Sequence, residues 1–170
     1  MGLATRSLQC IQSVYSAQDS IDFPWIDLNE WLHLNKPLIT KLWEDEITFE
    51  FLQKSEDLSV QIGEIYMRRI VNSVICYLYQ VTSDSMRAFY LVIDRSEDAS
   101  YSVLKISSCN NMNCPKCSVV TKLDQIPECL NLVESAVMQH GGALVAYSGR
   151  EGCNLVEIIF PSKNHIPLRS

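Results

Sequence analysis

The chain has 170 residues, 47% of them hydrophobic and 20% charged, which is enough apolar surface for one folded domain with a sizeable core. That balance excludes global disorder, and a formal net charge of −6 with scattered Lys and Arg excludes a broad nucleic-acid surface. No apolar run reaches the roughly 18 residues of a membrane span, and the opening MGLATRSLQC lacks the apolar stretch of a secretory signal, so no membrane partner and a cytoplasmic location are expected.

Residues 3–18 carry Leu3, Leu8, Ile11 and Val14 at helical spacing and predict one short helix. A break follows at Asp19–Pro24, so residues 1–25 form a helix and linker ahead of the main domain. Asp27 is placed to cap a helix running to about Trp43, with Leu28, Trp31, Leu32, Leu38, Ile39 and Leu42 as its apolar positions. Pro37 should kink or interrupt it. Ile47–Leu52 and Leu58–Ile62 alternate apolar and polar and predict two strands.

The longest helical pattern spans 64–81, where Ile65, Ile70, Val71, Val74, Ile75 and Leu78 make a broad apolar face. Residues 86–95 and 100–107 predict a hairpin, and 108–124 are irregular. A helix at about 126–139 ends at Gly141, a position suited to a left-handed residue. Strands at 143–148 and 154–160 close the domain around a turn at Gly149–Gly152, and 163–170 form a polar tail. This order suits a two-layer α/β sandwich, a mixed sheet covered on one face by helices.

Residues 129–161 read CLNLVESAVMQHGGALVAYSGREGCNLVEIIFP. They resemble the end of the ATP-binding domain of sensor histidine kinases, the GHKL superfamily. The family pattern there is roughly G-L-G-L-x-x-V-x-x-I-V-x-x-H-G-G, then a strand, a Ser, a Gly-containing turn, a strand and a Pro. Leu130, Leu132, Val133, Val137, His140, Gly141, Gly142, Ser148, Gly152 and Pro161 fall in register. The two phosphate-loop glycines do not, because Pro127 and Cys129 stand in their places. The resemblance extends over residues 26–162 and implies the same sandwich.

What it implies about chemistry is mostly loss. The family's central helix carries N-L-x-x-N-A, whose second Asn holds Mg²⁺ against the phosphates. Asn72 matches the first Asn, and Cys76 replaces the second. A thiol is a poor ligand for Mg²⁺, which demands hard oxygen donors. The adenine-selecting strand end, D-x-G-x-G in the family, is here Ser107-Ser108-Cys109-Asn110-Asn111, with Ser108 left as a polar residue and no carboxylate. Pro127 also removes an N–H from the phosphate loop. Asn72, Cys76, Ser108 and Cys129 therefore outline a vestigial nucleotide pocket with no catalytic residue, and ATP is not an expected cofactor. An equally good reading of Asn72 alone is a polar residue on a helix side.

The phosphoacceptor hairpin that precedes this domain in histidine kinases is not expected in residues 1–25. Of the three His residues, His33 fits a surface role and His140 fits a helix C-terminus.

Cys109, Cys114 and Cys117 stand in C-x₄-C-x₂-C spacing where the family has its ATP lid, with Cys129 or Cys153 as a further ligand. The pattern leaves open thiols in a loop, a structural zinc site, and an iron–sulfur centre or redox disulfide. Two functions follow from the resemblance. One is a non-catalytic regulator that binds a signalling kinase, a response regulator or another regulatory protein, with a homodimer also compatible. The alternative is a divergent ATP-binding kinase of the anti-sigma-factor type.

Overall fold

The computed structural model describes residues 23–43, 47–54, 58–82, 88–97, 99–108, 120–149 and 153–163. The expected helix at 3–18, the tip of the Gly149–Gly152 turn and Cys109, Cys114 and Cys117 lie outside those residues.

Asp27 starts the first helix as its short acidic side chain predicts: its Oδ1 accepts from the Glu30 N–H at 2.8 Å. Helix α1 then spans Leu28–Trp43. It runs unbroken through Pro37, contrary to the expected interruption. Pro37 and His33, whose carbonyl loses its partner there, both face outward, where water can satisfy that carbonyl. Leu28, Trp31, Leu32 and Ile39 are buried as expected and Trp43 is buried with them, but Leu38 and Leu42 are about half exposed, and Leu34 joins them on that outer side.

Just ahead of α1, Trp25–Asp27 forms a short strand, β1. It pairs antiparallel with β3 (Ser59–Gln61), so β3 leaves the main sheet that its alternation suggested it would join. The main sheet holds β2 (Thr48–Gln53), β4 (Ala88–Arg95), β5 (Tyr101–Ser107), β6 (Val120–Lys122), β7 (Ala143–Gly149) and β8 (Asn154–Pro161), in the order β2-β4-β5-β8-β7-β6. Among the described residues only β2 and β4 run parallel, and α2 (Glu64–Val81) lies in the crossover between them. The six-stranded sheet is therefore mixed. β6 falls inside the stretch expected to be irregular.

Alternation puts one side of β4, β5, β7 and β8 in the core. Leu91, Ile106, Val156 and Ala146 form a single buried row across four strands, and Ile93, Leu104, Ile158 and Leu144 form the next. Onto this face pack Ile70, Val71, Val74, Ile75 and Leu78 of α2, together with Val133 and Val137 of α3 (Asn131–Gln139). A 3₁₀ turn at Glu128–Leu130 leads into α3. The expected face of α2 includes Ile65, which proves 62% exposed because it sits in the first turn beyond the sheet's cover. The buried Asn35 joins α1 to α2: it donates to the Trp31 carbonyl at 2.8 Å and accepts from Arg68 Nε at 3.0 Å. Among the described residues no helix is long and apolar enough to cross a membrane.

Candidate functional site

The four residues expected to mark a nucleotide pocket are distributed around the C-terminal half of α2. Asn72 and Cys76 are one turn apart and share a side of the helix. Asn72 is half-buried, and its Oδ1 is shielded with no hydrogen-bond partner among the described residues. Cys76 is 7% exposed, so its side chain belongs to the core of the sandwich.

Ser108 is more tightly engaged. It lies at the end of β5 with 1% of its surface exposed. Its N–H donates to the Asn154 carbonyl at 3.0 Å, and its hydroxyl accepts from the Asn154 N–H at 2.9 Å and donates back to that carbonyl at 3.3 Å. The Asn154 side chain in turn donates to the Val81 carbonyl at the end of α2, at 3.4 Å. The hydroxyl standing at the adenine-selecting position is thus spent within the protein. Val81, Ser108 and Asn154 tie α2, β5 and β8 together at one corner.

Cys129 lies in the 3₁₀ turn and is exposed, with Tyr77 within reach of its charge. Burial raises the pKa of the Tyr77 phenol, and a neighbouring Cys129 charge raises it further. Burial likewise raises the Cys129 thiol, with Glu128 adding to the effect against its own backbone hydrogen bond. A raised thiol pKa is the opposite of what a reactive nucleophile needs. Tyr77 is 8% exposed and occupies the place of the Ala in N-L-x-x-N-A. Sequence reading passed over Tyr77, although an aromatic side chain in an alanine position was visible.

The His-Gly-Gly segment has a structural account. α3 ends at His140, and Gly141 takes a positive φ of 72°. The Gly142 N–H donates to the Val137 carbonyl at 3.0 Å, turning the chain into β7. The His140 ring packs 4.6 Å from the Phe23 ring and 6.2 Å from Tyr66. Burial lowers its pKa, partly offset by a hydrogen bond to the Gln61 backbone. A neutral imidazole in an aromatic cluster is a packing element.

Among the described residues no group of three or more His, Cys, Asp or Glu is arranged to hold a metal, and Cys76, Cys129 and Cys153 form no disulfide.

No family model matches the sequence, and no curated protein matches it at a significant level. Solved structures do match. The mycobacterial sensor histidine kinase MprB superposes with a TM-score of 0.57 at 15% identity, over 82% of this chain and 97% of that one. The fold is that of a histidine-kinase catalytic domain. Full-length ShkA, solved with AMPPNP, matches at a TM-score of 0.64 and 12% identity over 94% of this chain and 35% of its own. The histidine kinase ThkA, solved with the response regulator TrrA, matches at 0.60 and 12% identity over 94% and 48%.

Proposed function

We propose that this chain is a non-catalytic regulatory protein that uses a histidine-kinase ATPase fold to bind a partner protein in signalling. The partner class is a signalling kinase, a response regulator or another regulator. The observation that carries the reading is the occupation of the nucleotide-side positions by the protein itself. The Ser108 hydroxyl is satisfied by Asn154, and the Tyr77 side chain, 8% exposed, is buried on α2 beside Cys76. A nucleotide contacting Ser108 would have to break its bonds to Asn154, leaving buried polar groups unpaired at roughly 1–3 kcal/mol for each such group. The solved pairing of ThkA with a response regulator supports a protein partner for this fold. The acidic net charge supports a partner other than nucleic acid.

The test is calorimetry and thermal shift with Mg-ATP. We expect no binding heat and no stabilisation. Binding at a hundredfold excess over Kd would add about 2.7 kcal/mol. Micromolar, Mg²⁺-dependent affinity would overturn the proposal and favour a divergent kinase of the anti-sigma-factor type.

A further inference from the structure

The outer side of α1 carries a line of large apolar side chains. Leu34, Leu38 and Leu42 recur every four residues and are 61%, 52% and 49% exposed. Single surface leucines are ordinary, but three in a row along one helix form a continuous ridge about 12 Å long. Cations border that ridge. Lys41 lies on its outer margin, three residues after Leu38. Arg68 reaches in from α2 to Asn35, the residue after Leu34, and so stands on the inner margin. Lys36 does not border it: it lies on the opposite side of α1, its Nζ 5.0 Å from the centre of the Phe51 ring on β2. None of these three cations is in an ion pair among the described residues. The only acid in α1 is Glu30, although the whole chain has a net charge of −6.

We infer that the outer face of α1 docks an acidic amphipathic helix of a partner protein. Leu34, Leu38 and Leu42 take its apolar ridge, and Lys41 and Arg68 meet carboxylates on its two flanks. This rests on the partner-binding reading above. A straight ridge at four-residue spacing fits the ridge of a second helix lying 8–10 Å away, about the usual interaxial distance. Lys41 and Arg68, in no ion pair among the described residues, select acidic flanks on the two margins, and they offer charge complementarity where an apolar partner alone would leave them desolvated. An anionic membrane fits less well. Interfacial helices carry Lys and Arg densely over the polar face, whereas here the polar face holds Glu30 and the protein is acidic overall.

The experiment titrates the full chain into a labelled synthetic helical peptide with leucine every third or fourth residue and glutamates on both flanks, read by fluorescence anisotropy. Saturable binding is expected, at least about tenfold weaker for a peptide with lysine in place of each glutamate, and at least about tenfold weaker for Leu38→Glu and measurably weaker for Lys41→Glu. Leu38 is half exposed, so Leu38→Glu should leave the melting temperature unchanged and is not confounded by unfolding. Absence of binding, equal binding of the two peptides, or indifference to Leu38→Glu would overturn the assignment. So would Leu38-dependent pelleting with phosphatidylserine vesicles, or Leu38-dependent dimerisation in sedimentation equilibrium, which would assign the ridge to a membrane or to a second copy. A Mg-ATP titration of the same preparation separates the two levels. Nucleotide binding would sink the partner-binding reading itself, whereas a silent peptide with no nucleotide binding would sink only this surface.

Discussion

Gly142 is the position where a single methyl group should do the most damage. A Cβ built there would stand 2.3 Å from the Ile159 carbonyl oxygen, 2.9 Å from Val137 Cγ1 and 3.0 Å from Phe160 Cδ1. Two of those neighbours are side chains and could shift. The Ile159 oxygen cannot shift alone, because Ile159 is paired with Ala143 on one side and Val103 on the other. Gly142→Ala should therefore cost about 2–4 kcal/mol, at the upper end of overpacking penalties. Gly141 supplies the internal control. Its φ of 72° is unfavourable for alanine, but the nearest atom to a Cβ there is Pro161 Cγ at 3.4 Å, an ordinary contact. Gly141→Ala should thus cost only the left-handed penalty of about 1–2 kcal/mol, and Gly141→Asn less. For a chain of this size each kcal/mol lowers Tm by about 2–4 °C, so the two alanine variants should separate in a thermal melt and in urea. Gly142→Ala lying within about 0.5 kcal/mol of wild type, or milder than Gly141→Ala, would refute the packing account of the Gly-Gly pair.

Cys76→Asn, which restores the family's ligand type at that position, should destabilise the protein by about 1–3 kcal/mol by burying an amide in the core, and should gain no Mg-ATP binding by calorimetry. The Tyr147 phenol donates to Glu157 Oε2 at 2.9 Å, and burial together with that carboxylate pushes its pKa to about 12. A raised folded-state value means that stability is fully present below the ordinary value of 10.0 and is lost as pH rises through the folded one. Denaturation midpoints should therefore fall between those two values, and Tyr147→Phe should flatten that limb. His140 runs the other way: its lowered pKa favours the neutral ring in the fold, so its contribution is present above 6.5 and is lost as pH falls below it. An NMR titration placing His140 at or above 6.5 would contradict its burial beside Phe23. A structural zinc on Cys109, Cys114 and Cys117 would copurify at about one ion per chain, and a metal-free preparation from zinc-replete, reducing growth would refute it.

Much of the scaffold was legible because its signals are local. Asp27 is a short acidic residue ahead of an apolar helical period, and it caps α1 as read. The apolar spacing from Ile70 to Leu78 placed α2, and His140-Gly141-Gly142 placed the exit from α3. The illegible parts are long-range or too short to carry a period. β1 and β6 have three residues each and no readable period, and β3, which its alternation did give as a strand, owes its place beside β1 to pairing. Leu38 and Leu42 share a helical spacing with buried residues, and spacing cannot say how much of an apolar arc a neighbour will cover. The Ser108–Asn154 bond joins residues 46 positions apart, so nothing near Ser108 foretold that its hydroxyl was already engaged.

The parallel pairing of β2 with β4 has a consequence for the order in which the molecule assembles. The β4–β5 and β7–β8 ladders are antiparallel between neighbours in the chain, and each closes a short loop. β2 finds its place only after α2 has crossed over the sheet, so its pairing closes a much longer loop. It also lies at the sheet's edge, bonded on one side only. The strand that follows α1 should therefore be the last to dock and the first to leave. Its amides should exchange with solvent well before those of the β5–β8 seam, where opening requires the whole sheet to come apart.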